Sequence, residues 1–315
     1  MIPINRHPTL SRVTIIVKGM KETLQNIWNY LLDAGIATFS QLFVLLGPLF
    51  VLALIMNFIA RKNEILSYKV LGQKIYLYVF GWLGTSVHEL GHAIFALIFG
   101  HKISEIKLFT PNSGKSLGHI KHSYTKGNPY QTIGNFFIGI GPILIGTFLL
   151  FAVTWYLFGL NIFNVAEKNN VIFNFELFKS LGTLKNAAVN IGKGIWECME
   201  FILTRPKTNW WKLVLFFYFF YAVGSSITLS TSDIKGAFRG FLYFVIVLLL
   251  FNICTLWVGN FAIDFFRKIN YFLSGFYFLI IVSMGLNIIF IIILFLFNLL
   301  LSQILHNTPT RKPKK

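Results

Sequence analysis

Apolar residues in this chain gather into long runs, separated by short polar links, one long polar connection and one alternating stretch. The runs cover residues 37–60, 75–100, 134–160, 213–229, 241–263 and 271–305. About 20 helical residues cross a bilayer core, so the pattern predicts six transmembrane helices. The last run exceeds one span and must tilt, bend near Gly285 or project. Residues 1–36 follow another rhythm. Leu10, Val13, Val17, Met20, Leu24, Ile27 and Leu31 step by three and four, while Arg12, Lys18, Lys21, Glu22 and Gln25 face elsewhere. That spacing predicts an amphipathic helix over 8–35, lying in the membrane interface or packed on the protein's own surface.

The long connection, 161–212, keeps helical spacing at Leu177, Leu181, Leu184, Ala188, Ile191, Ile195, Met199 and Ile202. A second amphipathic helix is expected there, ending before Pro206. Residues 101–133 differ again. Ile103–Phe109 has strand character, Pro111-Asn112-Ser113-Gly114 is a turn signal, and Leu117–Tyr124 is a second short strand. The fold expected is therefore an all-α polytopic membrane domain over 37–305, with a small β-hairpin after the second span and a basic tail at 306–315.

Composition supports the membrane reading and narrows the partners. The chain is 55% hydrophobic and 12% charged, with a mean hydropathy of +0.67. Its net charge is +17, but the Lys and Arg sit between the apolar runs and at the tail. Charge so placed sets topology and meets anionic headgroups of the lipid bilayer. No continuous basic face with interleaved aromatics exists, so nucleic acid is not an expected partner. Cys198 and Cys254 are far apart and make neither a disulfide framework nor a metal-ligand spacing. No cleavable signal peptide is evident in residues 1–36. With six spans, the loops on the side of the amino terminus hold 15 Lys/Arg, against 6 opposite once the long connection is set aside. Both termini are then expected in the cytoplasm, in the cell membrane.

The chemistry lies in the second run, where His88-Glu89-Leu90-Gly91-His92 reads H-E-x-x-H. Positions i and i+4 share a helix face, so His88 and His92 can hold two corners of a tetrahedral zinc. Glu89 can reach a metal-bound water as general base. With 7 His and 8 Glu in 315 residues, chance gives about 0.004 such matches. The bland alternative is two polar side chains that merely pack, but ionisable groups at membrane depth are expensive and usually functional. Gly91 lowers helix propensity inside the motif, which points to close packing.

A catalytic zinc takes three protein ligands, and the chain has only three Asp: Asp33, Asp233 and Asp264. Counting from Lys74, His88 and His92 lie about 21 and 27 Å along their helix, and Asp233 lies about 32 Å past Lys212 in the same direction. Asp233 is the favoured third ligand on that count. Its rival role is to cap a short helix over Ile234–Gly240. Glu105, His119 and His122 are the other candidates.

These residues resemble the site-2 protease family of intramembrane zinc metalloproteases. The likeness covers about residues 75–240 and rests on three features: the motif at 88–92 within a transmembrane helix, a hairpin followed by a helix with Gly139-Ile140-Gly141-Pro142, and Asp233 near the end of a later helix. The resemblance implies one zinc per chain held by His88, His92 and Asp233, with Glu89 activating water to hydrolyse a peptide bond in a transmembrane protein substrate. The chain departs from the family where the third-ligand segment is usually rich in Asn and Pro and ends Leu-Asp-Gly. Here it reads Leu229-Ser230-Thr231-Ser232-Asp233-Ile234-Lys235-Gly236. The alternative is a metal-binding membrane scaffold, or an inactive homologue, that keeps the motif without proteolysis.

Overall fold

The computed structural model describes residues 8–111, 116–174, 177, 179–204, 209–258 and 261–307. Most of the expected turn at 111–114 and most of the basic tail at 306–315 lie outside them. The chain is helical, with one small sheet: α1 (Pro8–Val70), α2 (Gln73–Tyr76), a π-helical turn (Leu77–Gly81), α3 (Trp82–Ile98), β1 (Lys102–Lys107), β2 (His119–Ser123), α4 (Pro129–Phe158), α5 (Ile162–Lys168), α6 (Leu181–Thr204), α7 (Trp210–Ala222), a 3-10 turn (Gly224–Ser226), α8 (Thr231–Thr255), a second 3-10 turn (Leu256–Val258) and α9 (Phe261–Asn307).

Among the described residues, four helical stretches are long and apolar enough to cross a membrane: 15–70, 129–158, 231–258 and 268–303. The amphipathic stretch at 8–35 and the run at 37–60 are one helix, α1, of 63 residues. Two of the six expected spans are not continuous helices of bilayer length. The run at 75–100 is interrupted by the π-helical turn, which leaves 17 residues in α3. The run at 213–229 stops after 13 residues, where Gly224-Ser225-Ser226 follows.

Contacts give the direction of each element. Phe99 packs on Gly134 and Gly91 on Pro142, so α3 runs antiparallel to α4. Down the same helix α4, Phe158 meets Phe216, Gly146 meets Val223 and Ile227, Gly139 meets Asp233 and Ala237, and Gly240 meets the 132–136 backbone. The chain from α7 through the turn into α8 therefore advances without reversing. The 3-10 turn and the extended residues after it carry it forward, so the fourth and fifth apolar runs form one interrupted pass. On α1, Ser67 bonds Tyr221, Asn57 bonds the Leu229 carbonyl, and Thr38 bonds Asn252. On α9, Phe266 touches Phe251 and Asn287 bonds the Phe220 carbonyl. Helices α1, α4 and α9 thus run one way, and α3 and the α7–α8 pass run the other. Residue 8 and residue 307 consequently lie at opposite ends of the bundle. The same-side termini expected from six spans required an even number of passes.

The hairpin forms as its alternation predicted. Strands β1 and β2 pair antiparallel, Lys102 opposite Ser123 and Lys107 opposite His119, with an irregularity between Ile103 and Glu105. Helix α3 ends at Ile98, and Gly100 just beyond it has a φ of +67° that lets the chain turn back while the His101 amide bonds the Ala96 carbonyl. The hairpin then returns along α3: the Phe109 ring lies 6.0 Å from that of Tyr78, and Gly118 abuts Glu89.

Helix α3 sits tightly on α4 because Gly91 has no side chain. A Cβ there would lie 2.6 Å from the Pro142 backbone, closer than any real Cβ contact. Overpacking of this kind costs about 1–3 kcal/mol. Gly91→Ala is therefore expected to destabilise the detergent-solubilised protein by about that much in thermal unfolding. Gly19→Ala, at an exposed helical glycine with nothing within 4 Å, is expected to be neutral or stabilising.

Candidate metal centre

Helix α3 presents His88 and His92 on one face, 5.0 Å between ring centroids. Each ring is anchored from behind. His88 Nδ1 lies 3.0 Å from the Ser226 carbonyl, and His92 Nδ1 lies 2.8 Å from the Ile138 carbonyl. A carbonyl can only accept, so both Nδ1 atoms carry a proton, and in the neutral ring each Nε2 then presents a lone pair. Both Nε2 atoms point at Asp233: 3.7 Å from His88 to Oδ2 and 3.3 Å from His92 to Oδ1.

Neutral imidazoles in this tautomer aim two lone pairs and a carboxylate at one small, largely buried volume. Such convergence is repulsive by itself and is relieved by a cation. Among the described residues, His88, His92 and Asp233 form the group whose donor atoms all lie within 4.8 Å of one another. Two imidazole nitrogens and a carboxylate oxygen suit zinc, and three protein ligands leave a coordination position open. The donor set therefore fits the group that the motif implies.

Asp233 caps a helix and also faces both histidines, so it is placed for either role that its sequence left open. Ser230 is the N-cap of α8, accepting from the Asp233 amide, and Asp233 Oδ2 accepts from the Ser230 amide at 2.8 Å in a reciprocal capping box. The helix capped runs to Thr255, well beyond Gly240. The cap fixes the carboxylate's position, and the close approach of α8 to α4 brings it to the histidines. That approach depends on Gly139, where a Cβ would lie 2.6 Å from Ala237 Cβ and 2.9 Å from the Asp233 carbonyl.

Glu89 is buried beside the group, in a cavity of about 470 Å³ that His88, His92 and Asp233 also line. Strand β2 closes one wall with His119, Ile120 and His122, and α4 adds Asn135. Gly118 of the hairpin makes room for the carboxylate: a Cβ there would lie 2.7 Å from Glu89 Cγ. No spacing pattern marked Gly118, or the Ser226 and Ile138 carbonyls, as part of the site. Backbone groups carry no side-chain signature, and Gly118 matters only once the hairpin has folded back.

The other candidate ligands are engaged elsewhere. Glu105 bonds Lys107 at 2.7 Å and Lys121 at 2.5 Å, and its carboxylate faces His119 at 3.4 Å. These partners, Lys107 first, hold its pKa down to about 2. His122 Nδ1 pairs with His101 Nδ1 at 3.0 Å, and burial, followed by His101, pushes the His122 pKa down. His119 and His122 line the cavity without joining the three-residue group.

The two duties of Asp233 can be separated. Ser230→Ala is expected to cost about 1 kcal/mol of stability and to leave metal stoichiometry unchanged. Asp233→Asn keeps an acceptor for the Ser230 amide but loses the anionic ligand, so bound metal should fall at least tenfold at matched free-metal concentration. Thermal unfolding beside a competitive chelator titration reads both. Equal metal binding by Asp233→Asn would remove Asp233 from the ligand set.

Neither the curated proteins nor the solved structures give a match to this chain. Residues 50–158, from the middle of α1 through the motif helix and hairpin to the end of α4, match the family model described as Peptidase M50B-like. The match contains His88, Glu89 and His92 and stops short of Asp233; it supports the placing of this chain in the site-2 protease family.

Proposed function

We propose that this protein is an intramembrane zinc metallopeptidase that hydrolyses a peptide bond of a membrane-embedded protein substrate. One observation carries the reading: two Nε2 lone pairs and the Asp233 carboxylate converge beside a buried Glu89 in one cavity. A zinc ion held by His88, His92 and Asp233 would supply Lewis acidity, both to water and to the scissile carbonyl. Glu89 takes the proton from the attacking water and returns it to the departing amine nitrogen. The Ser226 and Ile138 carbonyls hold each imidazole by Nδ1, so that Nε2 stays turned toward the metal position.

A helical substrate must be unwound before its carbonyl can be reached, and two features beside the site favour that. Strand β2 lines the cavity, and a strand edge can hold an extended peptide through main-chain bonds. On the other side of Asp233 lies an apolar groove of about 390 Å³ between α1, α4 and α8, lined by Leu46, Phe50, Phe136, Ile140, Ile234 and Phe238. Gly139, Asp233 and Ala237 border both spaces. An apolar segment lying in the groove would thus have its neighbouring peptide bond beside the polar cavity.

Glu89→Gln should retain bound zinc and lose at least about 10²-fold in hydrolysis of a transmembrane substrate. Parental activity in that variant would sink the mechanism. Zinc bound by a parent protein that cleaves no substrate would leave the metal-binding scaffold in its place. We further propose that the protein is inserted with its ends on opposite faces of the membrane, following the parallel course of α1 and α9. Tags at the two ends should differ in accessibility to an impermeant reagent in sealed vesicles. Equal accessibility would restore the shared cytoplasmic placement given by the loop charges.

A further inference from the structure

The His88 imidazole depends on the Ser226 carbonyl, and that carbonyl is where it is because α7 stops early. In a continued helix, the residue 226 carbonyl would accept from the amide four residues on. Here it accepts instead from the Thr228 amide and from His88 Nδ1. Stopping a helix in an apolar interior frees carbonyls that must find other donors. Two donors come from the break itself. Ser225 Oγ donates to the Ala222 carbonyl at 3.0 Å, and Ser226 Oγ to the Val223 carbonyl at 2.7 Å.

A third donor comes from another helix. Asn287, in α9, donates through Nδ2 to the Phe220 carbonyl at 3.0 Å. In a continued α7 that carbonyl would belong to the Gly224 amide. Asn287 Nδ2 also donates to the Ser283 carbonyl at 2.9 Å, and Asn287 Oδ1 accepts from Asn63 of α1 at 2.9 Å. Asn63, Ser283 and Asn287 are all 0% exposed. The turn is pressed onto them: a Cβ at Gly224 would lie 2.2 Å from Ser283 Oγ and 2.8 Å from Asn287 Nδ2.

We infer that Asn287, itself oriented by Asn63, is a positioning residue for the metal centre. It supplies the Phe220 carbonyl with a donor in place of the Gly224 amide, and so supports the break that sets the Ser226 carbonyl behind His88. Neither asparagine touches the metal ligands. The inference rests on the proposed metal-binding reading and adds to it a control point on helices α1 and α9. The Ser226 carbonyl stands one step behind the ligand, where loss of a partner typically changes metal affinity 10- to 100-fold, and Asn287 acts through it.

The test uses the full-length protein in detergent, loaded with cobalt(II) in place of zinc so that coordination shows in the visible spectrum. Asn287→Leu is expected to weaken cobalt affinity at least tenfold and to alter the spectrum of the loaded protein. Asn252→Leu is the comparison. Asn252 is also 0% exposed and joins α8 to Thr38 and Gln41 of α1. It should lose stability to a similar degree with cobalt affinity within twofold of the parent and the spectrum unchanged. If Asn287→Leu does not fold, Asn63→Ala carries the test, with a smaller loss of affinity in the same direction. Parental affinity and spectrum in the folded asparagine variant would overturn the inference while leaving the metal reading intact. Equal losses in Asn252→Leu would also overturn it. A parent that binds no cobalt or zinc would instead overturn the metal reading, and this inference with it.

Discussion

The structure turns on two backbone carbonyls. Ser226 and Ile138 each take a proton-bearing Nδ1, and this single constraint decides what the front of the site is. With each Nδ1 committed to a carbonyl, the two Nε2 atoms and the Asp233 carboxylate share one largely buried volume. That arrangement calls for a positive charge, carried either by a proton on Nε2 or by a metal ion that all three groups face. The carbonyls come from different elements, α4 and the break after α7, so the site requires three segments to meet at backbone distance.

Small residues make that meeting possible. Gly91 lets α3 rest on the Pro142 backbone, and Gly139 lets α8 come within van der Waals reach of α4 at Asp233. Apolar side chains gain little by leaving lipid for one another, so close backbone packing and satisfied polar groups supply more of the association than in water. The break between α7 and α8 shows the same logic. Its freed carbonyls are met by Ser225, Ser226 and Asn287, and the new helix opens with a capping box. Donors built in at the break make it a feature of the fold.

The sequence made the motif, the hairpin and the close packing at Gly91 legible because each has a local signature: an i, i+4 pair, an alternating pattern, a glycine in a helix. Asp233 was legible as a ligand candidate through depth counting, since α3 and the α7–α8 pass do run the same way. Whether it caps a helix or faces the histidines looked like a choice, and the structure places one carboxylate where it does both. The passes themselves were less legible. Hydropathy marks apolar runs but not the direction of the chain between them. A polar stretch such as 224–232 reads equally as a reversing loop and as a forward break. The 63-residue course of α1 was hidden for a related reason: a change from amphipathic to apolar spacing marks a change of surroundings, and the backbone continues through it.

The placement of Asp233 at the boundary of two unlike spaces carries a last consequence. On one side are the histidines, Glu89 and the hairpin; on the other is an apolar groove whose lining continues the bundle's own packing surface. A peptide bond can be hydrolysed only where water and a base are present, while an apolar segment is stable only where they are not. A site that serves such a segment must bring both conditions within one residue's reach. Helix α8 does so by beginning there: its first turn offers a carboxylate and Ser230 to the polar side, and Ile234 and Phe238, one and two turns on, face the groove. The helix start thus supplies a carboxylate facing the histidines, a cap and the edge between two solvents. The same geometry explains why the fourth pass must be interrupted: a continuous helix would have no free first turn at this depth.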